Sequence, residues 1–552
     1  MKKLTLVLGA ALVLTAQEKV DDVNSAKMRS EELEHSQIMH TLHVLTDRYG
    51  PRVTGTPNHE LAAKWAVTQL TQWGFKNAHL EPWEFGHPGW LNEYATAHIV
   101  APVKENVKFE VLAWTPSTNG KVMASAIQLV PPQGPVPPVD PAAAAAAAAF
   151  GGGRGAPAPL GPLKTELTQW IAANKDKVRG KVVLVGKAAV IPVNFDAPSK
   201  RRPDDQVKAM YDPANPNGGR GGFGRGPAAK PDPERYTPNE VTAQIDAMLV
   251  AGGALVKVND AARGEGVIVA VQHRGYDIAT AVPTVILRND DYGRVERLLA
   301  DGEDVKMQFE ITNKIYPEGK TSYNVVAEIP GSDKADEVVM LGGHLDSWHS
   351  GTGATDNAIG CSIMMEAARL IQNAGLKPRR TIRVALWSGE EEGLLGSLAY
   401  VKEHFGTAEA PKPEWFKLDG YFNVDSGTGR LRGAGVFGPP EAAAVLRPVL
   451  AQFSEWGIYG ASASNSRAVG GTDSTSFNNA GLPGIGMSQD PIEYGTMTHH
   501  TNLDTYERII PDDVKKAAAI LAASVWHVAT RDEMIPRFAK DKMPAPVAIP
   551  AF

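Results

Sequence analysis

The sequence predicts an α/β protein: a mostly parallel central sheet with helices on both faces, interrupted by a smaller, mostly β domain. Three observations predict it. From Tyr323 onward, short apolar runs alternate with stretches of helical period, the pattern of parallel strands joined by crossover helices. A middle region rich in Pro, Ala and Gly separates that rhythm from two N-terminal helical segments. A chain of 552 residues with 43% hydrophobic content is long enough to fill two or more cores.

Met1-Lys2-Lys3, the apolar run Leu4 to Leu14 and Thr15-Ala16-Gln17 read as a secretory signal peptide over 1–16. The run is too short to span a bilayer as a mature helix. The expected location is therefore extracytoplasmic, secreted or periplasmic, with no stable membrane insertion after cleavage. Glu32 to Leu45 and Leu61 to Trp73 carry helical periodicity around the break Tyr49-Gly50-Pro51-Arg52. Ala95–Ala101 and Val107–Trp114 read as extended, so 25–114 is assigned to the first part of the main domain.

Pro131–Pro162, with its alanine run Ala142–Ala149, and the Gly/Arg-rich Asn215–Pro227 cannot bury a core and are expected as surface loops. The second resembles an RNA-binding segment, but it holds one aromatic in a chain of net charge −6, which gives no electrostatic reason to expect nucleic acid. Around these loops, Val122–Val130, Gly180–Gly186, Ala254–Val258, Val267–Val271, Thr284–Leu287 and Val305–Ile311 read as strands of an insert over 115–312.

The second part of the main domain, 313–532, then alternates regularly. Glu337–Leu341, Thr381–Trp387, Tyr421–Val424 and Gly484–Met487 read as strands. Ala358–Asn373, Leu394–His404, Glu441–Trp456 and Pro511–Ala529 read as helices, and 533–552 is a tail. Cys361 is the only cysteine, so neither a disulfide within the chain nor a thiolate metal cluster can form, and its apolar helical setting makes it a core residue.

Candidate ligands fall beyond the ends of these strands, where open α/β sheets gather functional residues. They are His344 and Asp346, Asp356, the run Glu390-Glu391-Glu392, Asp425, and the pair His499-His500. Imidazole and carboxylate suit zinc. Asp356 lies in a Gly/Ala-rich loop before a helix start and is the best candidate to bridge two metals, with Asn357 beside it as a helix cap. Glu390 and Glu391 are adjacent on an extended segment, so one can ligate while the other faces an attacking water as general base; spacing alone does not choose among them and Glu392. Asp346 returns to the side of His344 and is placed to receive its second imidazole N–H.

As a set, Gly-Gly-His344-x-Asp346-Ser, Gly-Ala-x-Asp356-Asn, Glu390-Glu391-x-Gly-Leu-Leu-Gly-Ser, Asn-x-Asp425 and His500-Thr-x-x-Asp504-Thr resemble the di-zinc exopeptidases. Tyr49-Gly50-Pro51-Arg52-Val53-Thr54-Gly55-Thr56-Pro57 is most similar to the carboxypeptidase Q branch, with the insert matching a protease-associated domain. The resemblance implies two zinc ions, one held by His344, Asp356 and Asp425, the other by Asp356, Glu391 and His500. It makes Glu390 the general base and Asp346 the partner of His344, while Glu392 itself reads as a solvated helix-start charge. Asp473, in Gly471-Thr472-Asp473-Ser474, reads as either structural or substrate-orienting; it and His499, which stands where relatives often carry a tyrosine, are the candidates offered for substrate contact. His43, His273, His349 and His404 match no motif.

The implied activity is a secreted zinc exopeptidase that cleaves dipeptides or short peptides with a zinc-bound hydroxide, of carboxypeptidase or dipeptidase type, with an aminopeptidase as the alternative. A peptide is the expected partner, and a homodimer is left open. A carboxypeptidase needs a cation for the free carboxylate, and Arg52, Arg467 and Lys417 are offered for it. An inactive binding homologue would have lost ligands, and all are present; a glutaminyl cyclase-like acyltransferase would use a single-zinc site.

Overall fold

Val338 to Leu341 is an unbroken apolar run because its strand is covered on both sides. Val339 and Leu341 pack into the cluster formed with Ile363, Leu370 and Leu521, while Met340 joins Tyr400, Phe405 and Phe477 on the opposite face. The computed structural model describes residues 20–137, 159–214, 232–273, 275–468 and 470–547. The leader expected over 1–16, the alanine run Ala142–Ala149 and the Gly/Arg-rich Asn215–Pro227 lie outside the described residues.

The strands in chain order are β1 (Lys76–Glu84), β2 (Gly89–Ala101), β3 (Glu105–Asn106), β4 (Phe109–Val111), β5 (Val122–Leu129), β6 (Val182–Val185), β7 (Val256–Asp260) and β8 (Thr284–Leu287). They continue with β9 (Lys306–Tyr316), β10 (Thr321–Ile329), β11 (Lys334–His344), β12 (Arg380–Trp387), β13 (Leu418–Asn423), β14 (Leu431–Phe437), β15 (Ala461–Ser464) and β16 (Gly484–Gln489). One sheet has the order β1-β10-β12-β11-β13-β16-β14-β15 and is parallel through its centre, from β12 to β16. Gly342 of β11 is required where this sheet is tightest: a Cβ there would lie 2.0 Å from the Ala385 carbonyl oxygen.

Helices Pro57–Gln72, Ile359–Asn373 and Pro511–Thr530 contribute to the cluster on one face, and Leu395–His404 and Ser474–Asn479 to the cluster on the other. The mixed α/β architecture is thus as the periodicity predicts. The helix expected from Glu32 to Leu45 is instead two, Asp22–His35 and Ile38–His43. The break falls where the backbone N–H of Gln37 donates to Glu366 Oε1 of the neighbouring helix (2.9 Å), a tertiary contact that local periodicity does not contain.

The second sheet has the order β3-β2-β9-β5-β6-β7-β8-β4. It takes in β2 and β4, although 25–114 was assigned to the main domain, because β2 pairs along its length with β9, over 200 residues away in sequence. The insert is also more helical than expected. Helices Lys164–Asn174, Pro238–Gly252 and Asn289–Ala300 accompany the parallel pairs β5–β6, β6–β7 and β7–β8. Thr237 and Glu240 form a reciprocal capping box at the start of helix Pro238–Gly252. Val267–Val271, expected as a strand, forms none; Val269 makes an isolated bridge to Thr501 in the main domain.

Candidate metal centre

Five loops bring the candidate residues to the carboxyl edge of the parallel strands. His344 ends β11, Glu390 and Glu391 follow β12, Asp425 follows β13, and His500 lies in the long segment after β16. Asp356 sits in the turn Ala354–Ala358 before helix Ile359–Asn373. Asn357 anchors that turn: its amide nitrogen donates to the Val424 carbonyl (2.9 Å), and its oxygen accepts from the N–H of Gly360 (3.1 Å), the capping role expected of it. Gly353 precedes the turn at φ 62, and a Cβ there would lie 2.3 Å from Ser347 Cβ.

His344 Nε2 lies 3.3 Å from Asp356 Oδ1, 3.4 Å from Asp425 Oδ1 and 4.0 Å from Glu390 Oε2. On the other side, His500 Nε2 lies 2.8 Å from Glu391 Oε2 and 3.3 Å from Asp356 Oδ2. Asp356 therefore faces one histidine with each oxygen. His344 Nε2, Asp356 Oδ2 and both Glu391 oxygens are buried without a hydrogen-bond partner. Such close approach without hydrogen-bond geometry is what donor atoms converging on a cation require, because buried polar groups otherwise pair.

The electrostatics agree. Burial pushes the Glu391 carboxyl well above its usual range, and the neighbouring Asp356 adds to this. Burial likewise raises Glu390, with Asp425 contributing. Burial alone would lower His344, but Asp425 and Glu390 outweigh it and hold the imidazole well above its ordinary value. Crowded carboxylates and imidazoles of this kind fit a divalent metal of the zinc type.

The expected extended segment is instead a bend and turn after β12, and within it the two adjacent glutamates still reach different donor groups. The Glu391 side chain is 2% exposed and Glu390 12%, so Glu390 is the one toward the open side. Asp346 is buried beside both: its Oδ2 accepts the Glu391 backbone N–H (3.1 Å), while Oδ1 stands 3.7 Å from His344 Nδ1. The hydrogen bond from that ring nitrogen falls on the Asp346 backbone carbonyl (3.1 Å) and not on its carboxylate, because the strand end turns the carbonyl toward the ring.

Both histidines can group with Asp356, and His500 lies the closer of the two. His499 Nε2 is 3.8 Å from Asp356 Oδ2, and its ring lies over His500 (centroids 3.8 Å apart) and near Tyr494 (4.8 Å). Asp473 is wholly buried with neither oxygen hydrogen-bonded; burial pushes it up to about 7. Glu392 is not a solvated charge: it is 4% exposed, in the turn before helix Leu395–His404, and burial raises its carboxyl. His43, His273, His349 and His404 are engaged by Asp47, Asp246, the Val111 carbonyl and Glu81. Cys361 is fully buried in the core.

None of the three expected carboxylate partners is free. Arg52 is buried and donates to the carbonyls of Leu345, Leu45, Gly50, Thr352 and Gly353. Arg467 binds Glu409 (2.6 Å), and Lys417 pairs with Asp336 (3.5 Å) beside Val338, at the far end of the parallel strands. Three residues without an assigned role prove to belong to the site. Asp504 accepts backbone N–H groups of the Asp356 turn, Tyr494 Oη donates to Asp425 Oδ1 (3.4 Å), and Trp348 packs 6.4 Å from His500. Asp504 stood in the His500 motif; Tyr494 and Trp348 carried no local signal.

The fold and site define an α/β protein with a candidate metal centre of carboxylates and imidazoles at the carboxyl edge of its parallel strands. Residues 324–525, the segment that carries the whole candidate ligand set, match the profile described as Peptidase family M28. Carboxypeptidase Q of Mus musculus is 33% identical over 256 residues, 46% of this chain and 52% of that protein. The alignment thus spans about half the length of the curated relatives. A peptidase M28 precursor from Shewanella amazonensis SB2B shares the fold with a TM-score of 0.61 at 22% identity, covering 93% of this chain and 98% of the other. A zinc aminopeptidase from Bacillus subtilis does so with a TM-score of 0.53 at 16% identity, covering 91% and 98%.

Proposed function

We propose that this protein is an exported, zinc-dependent exopeptidase that hydrolyses dipeptides or short peptides, similar to carboxypeptidase Q. The observation that carries the reading is Asp356, whose two oxygens face His344 and His500 in two separate donor groups. His344, Asp356 and Asp425 would hold one zinc, and Asp356, Glu391 and His500 a second. Zinc bound there supplies Lewis-acid polarisation of the scissile carbonyl and makes water a better nucleophile at neutral pH.

The remaining steps belong to the chain. Glu390, on the open side, accepts a proton from the attacking water and returns it to the nitrogen as the C–N bond breaks, so the amine leaves neutral. Asp346 fixes the Glu391 backbone and faces His344, which keeps the donor set in place. Export is supported by the leader pattern of residues 1–16.

The test is Glu390→Gln in the zinc-loaded protein. Metal content should stay at two zinc ions, while turnover on a mixed dipeptide library falls by roughly 10²–10⁴-fold. Full activity in the variant removes Glu390 as base. A wild-type protein that binds zinc and cleaves no peptide removes the peptidase reading itself.

A further inference from the structure

Cleavage at a chain end requires a group that recognises the charged terminus, and a free carboxylate calls for a guanidinium or ammonium. The cations around the segment that carries His500 are already paired. Arg201 binds Asp490 (3.3 Å) and Asp513 (2.7 Å), Arg430 binds Asp490 (3.3 Å), and Arg508 binds Glu493 (3.0 Å).

Arg263 differs. It is exposed and makes no ion pair among the described residues. It belongs to the second sheet's side of the molecule, in the loop after β7, yet that loop is fastened to the metal-site segment. The backbone N–H of Ile268 donates to Asn502 Oδ1 (2.8 Å), the N–H of Asn502 donates to the Ile268 carbonyl (3.1 Å), and Val269 bridges Thr501. Asn502 is two residues from His500. The backbone around Arg263 is held in an unusual form: Ala262 (φ 52) and Glu265 (φ 59) are both left-handed without being glycine. That conformation is costly and persists where surrounding structure imposes it.

We propose that Arg263 binds the free carboxylate of the peptide substrate, which makes this a site for free dipeptides or C-terminal residues. This rests on the peptidase reading above and extends it to the terminus recognised. The two halves of the molecule then divide the work, the main sheet holding the metal ligands and the second supplying the cation.

The experiment compares hydrolysis of one dipeptide with a free C-terminus and the same dipeptide amidated, by the full-length zinc-loaded protein and by Arg263→Ala and Arg263→Lys. The wild type should prefer the free carboxylate. Arg263→Ala should lower kcat/KM for the free dipeptide roughly 10-fold or more and affect the amide far less, the loss expected for one charge-assisted hydrogen bond. Arg263→Lys should restore part of the preference, with zinc content and Tm unchanged in both variants. Equal losses on both substrates, an unchanged ratio in Arg263→Ala, or a wild type indifferent to amidation overturns the role of Arg263 while leaving the peptidase reading intact. A wild type that cleaves neither dipeptide overturns both.

Discussion

Asp504 holds Asp356 from the backbone side: its two oxygens accept the N–H groups of Thr355 (2.6 Å) and Asp356 (3.1 Å). The residue that faces both histidines is thereby fixed by a second carboxylate about 150 positions further along the chain. Burial, with Asp356 adding, pushes Asp504 up to about 7.

Replacing Asp504 by Asn leaves one acceptor where two N–H groups need them. Asp504→Asn should weaken zinc binding roughly 10–100-fold, the usual effect of losing a group that orients a ligand. Chelator competition followed by metal analysis measures it. Unchanged affinity would show that the turn Ala354–Ala358 holds its shape without this carboxylate.

The histidine pair offers a sharper contrast. His500 Nε2 is 2.8 Å from Glu391 and 3.3 Å from Asp356, whereas His499 approaches only Asp356, at 3.8 Å. His500→Ala should therefore reduce bound zinc from two ions toward one, while His499→Ala keeps both. The reverse pattern of metal content would transfer the ligand role to His499.

Away from the site, Glu32 is completely buried with neither carboxylate oxygen hydrogen-bonded, against Glu366. Burial first and Glu366 second push its carboxyl up to about 9. A folded-state value above that of an unfolded glutamate, about 4.3, means the stability from the neutral form is complete below about pH 4. It is lost progressively as pH rises toward about 9. Glu32→Gln stays neutral throughout, so its Tm should exceed that of the wild type by several degrees at about pH 8.5, a gain of ~1 kcal/mol or more, with the gap closing by about pH 5. Parallel Tm profiles for the two proteins would mean that Glu32 does not titrate in this range.

Much of the centre was legible because its signals are local. His344, Asp356, Glu390-Glu391 and Asp425 lie close to a strand end or helix start, and His500, in the long segment after β16, stands in its own His-Thr-x-x-Asp-Thr motif, so their order could be read without knowing any long-range contact. Glu392 was misjudged because position next to a helix start says nothing about what covers it. Arg52 looked like a substrate cation because sequence shows a charge and not the five carbonyls gathered round it.

The sequence by itself determined the alternation of strands and helices, the candidate ligand residues and the chemistry their types permit, because hydrophobic period and motif spacing are properties of neighbouring residues. Only the tertiary structure decided which oxygen faces which histidine, that Glu390 lies on the more open side and Glu391 inside, and that the His344 ring bonds to a carbonyl. It alone brought Asp504, Tyr494 and Trp348 to the site and fastened the Arg263 loop to the segment bearing His500. Those outcomes depend on contacts between residues tens to hundreds of positions apart, and burial there is set by packing that no local pattern encodes.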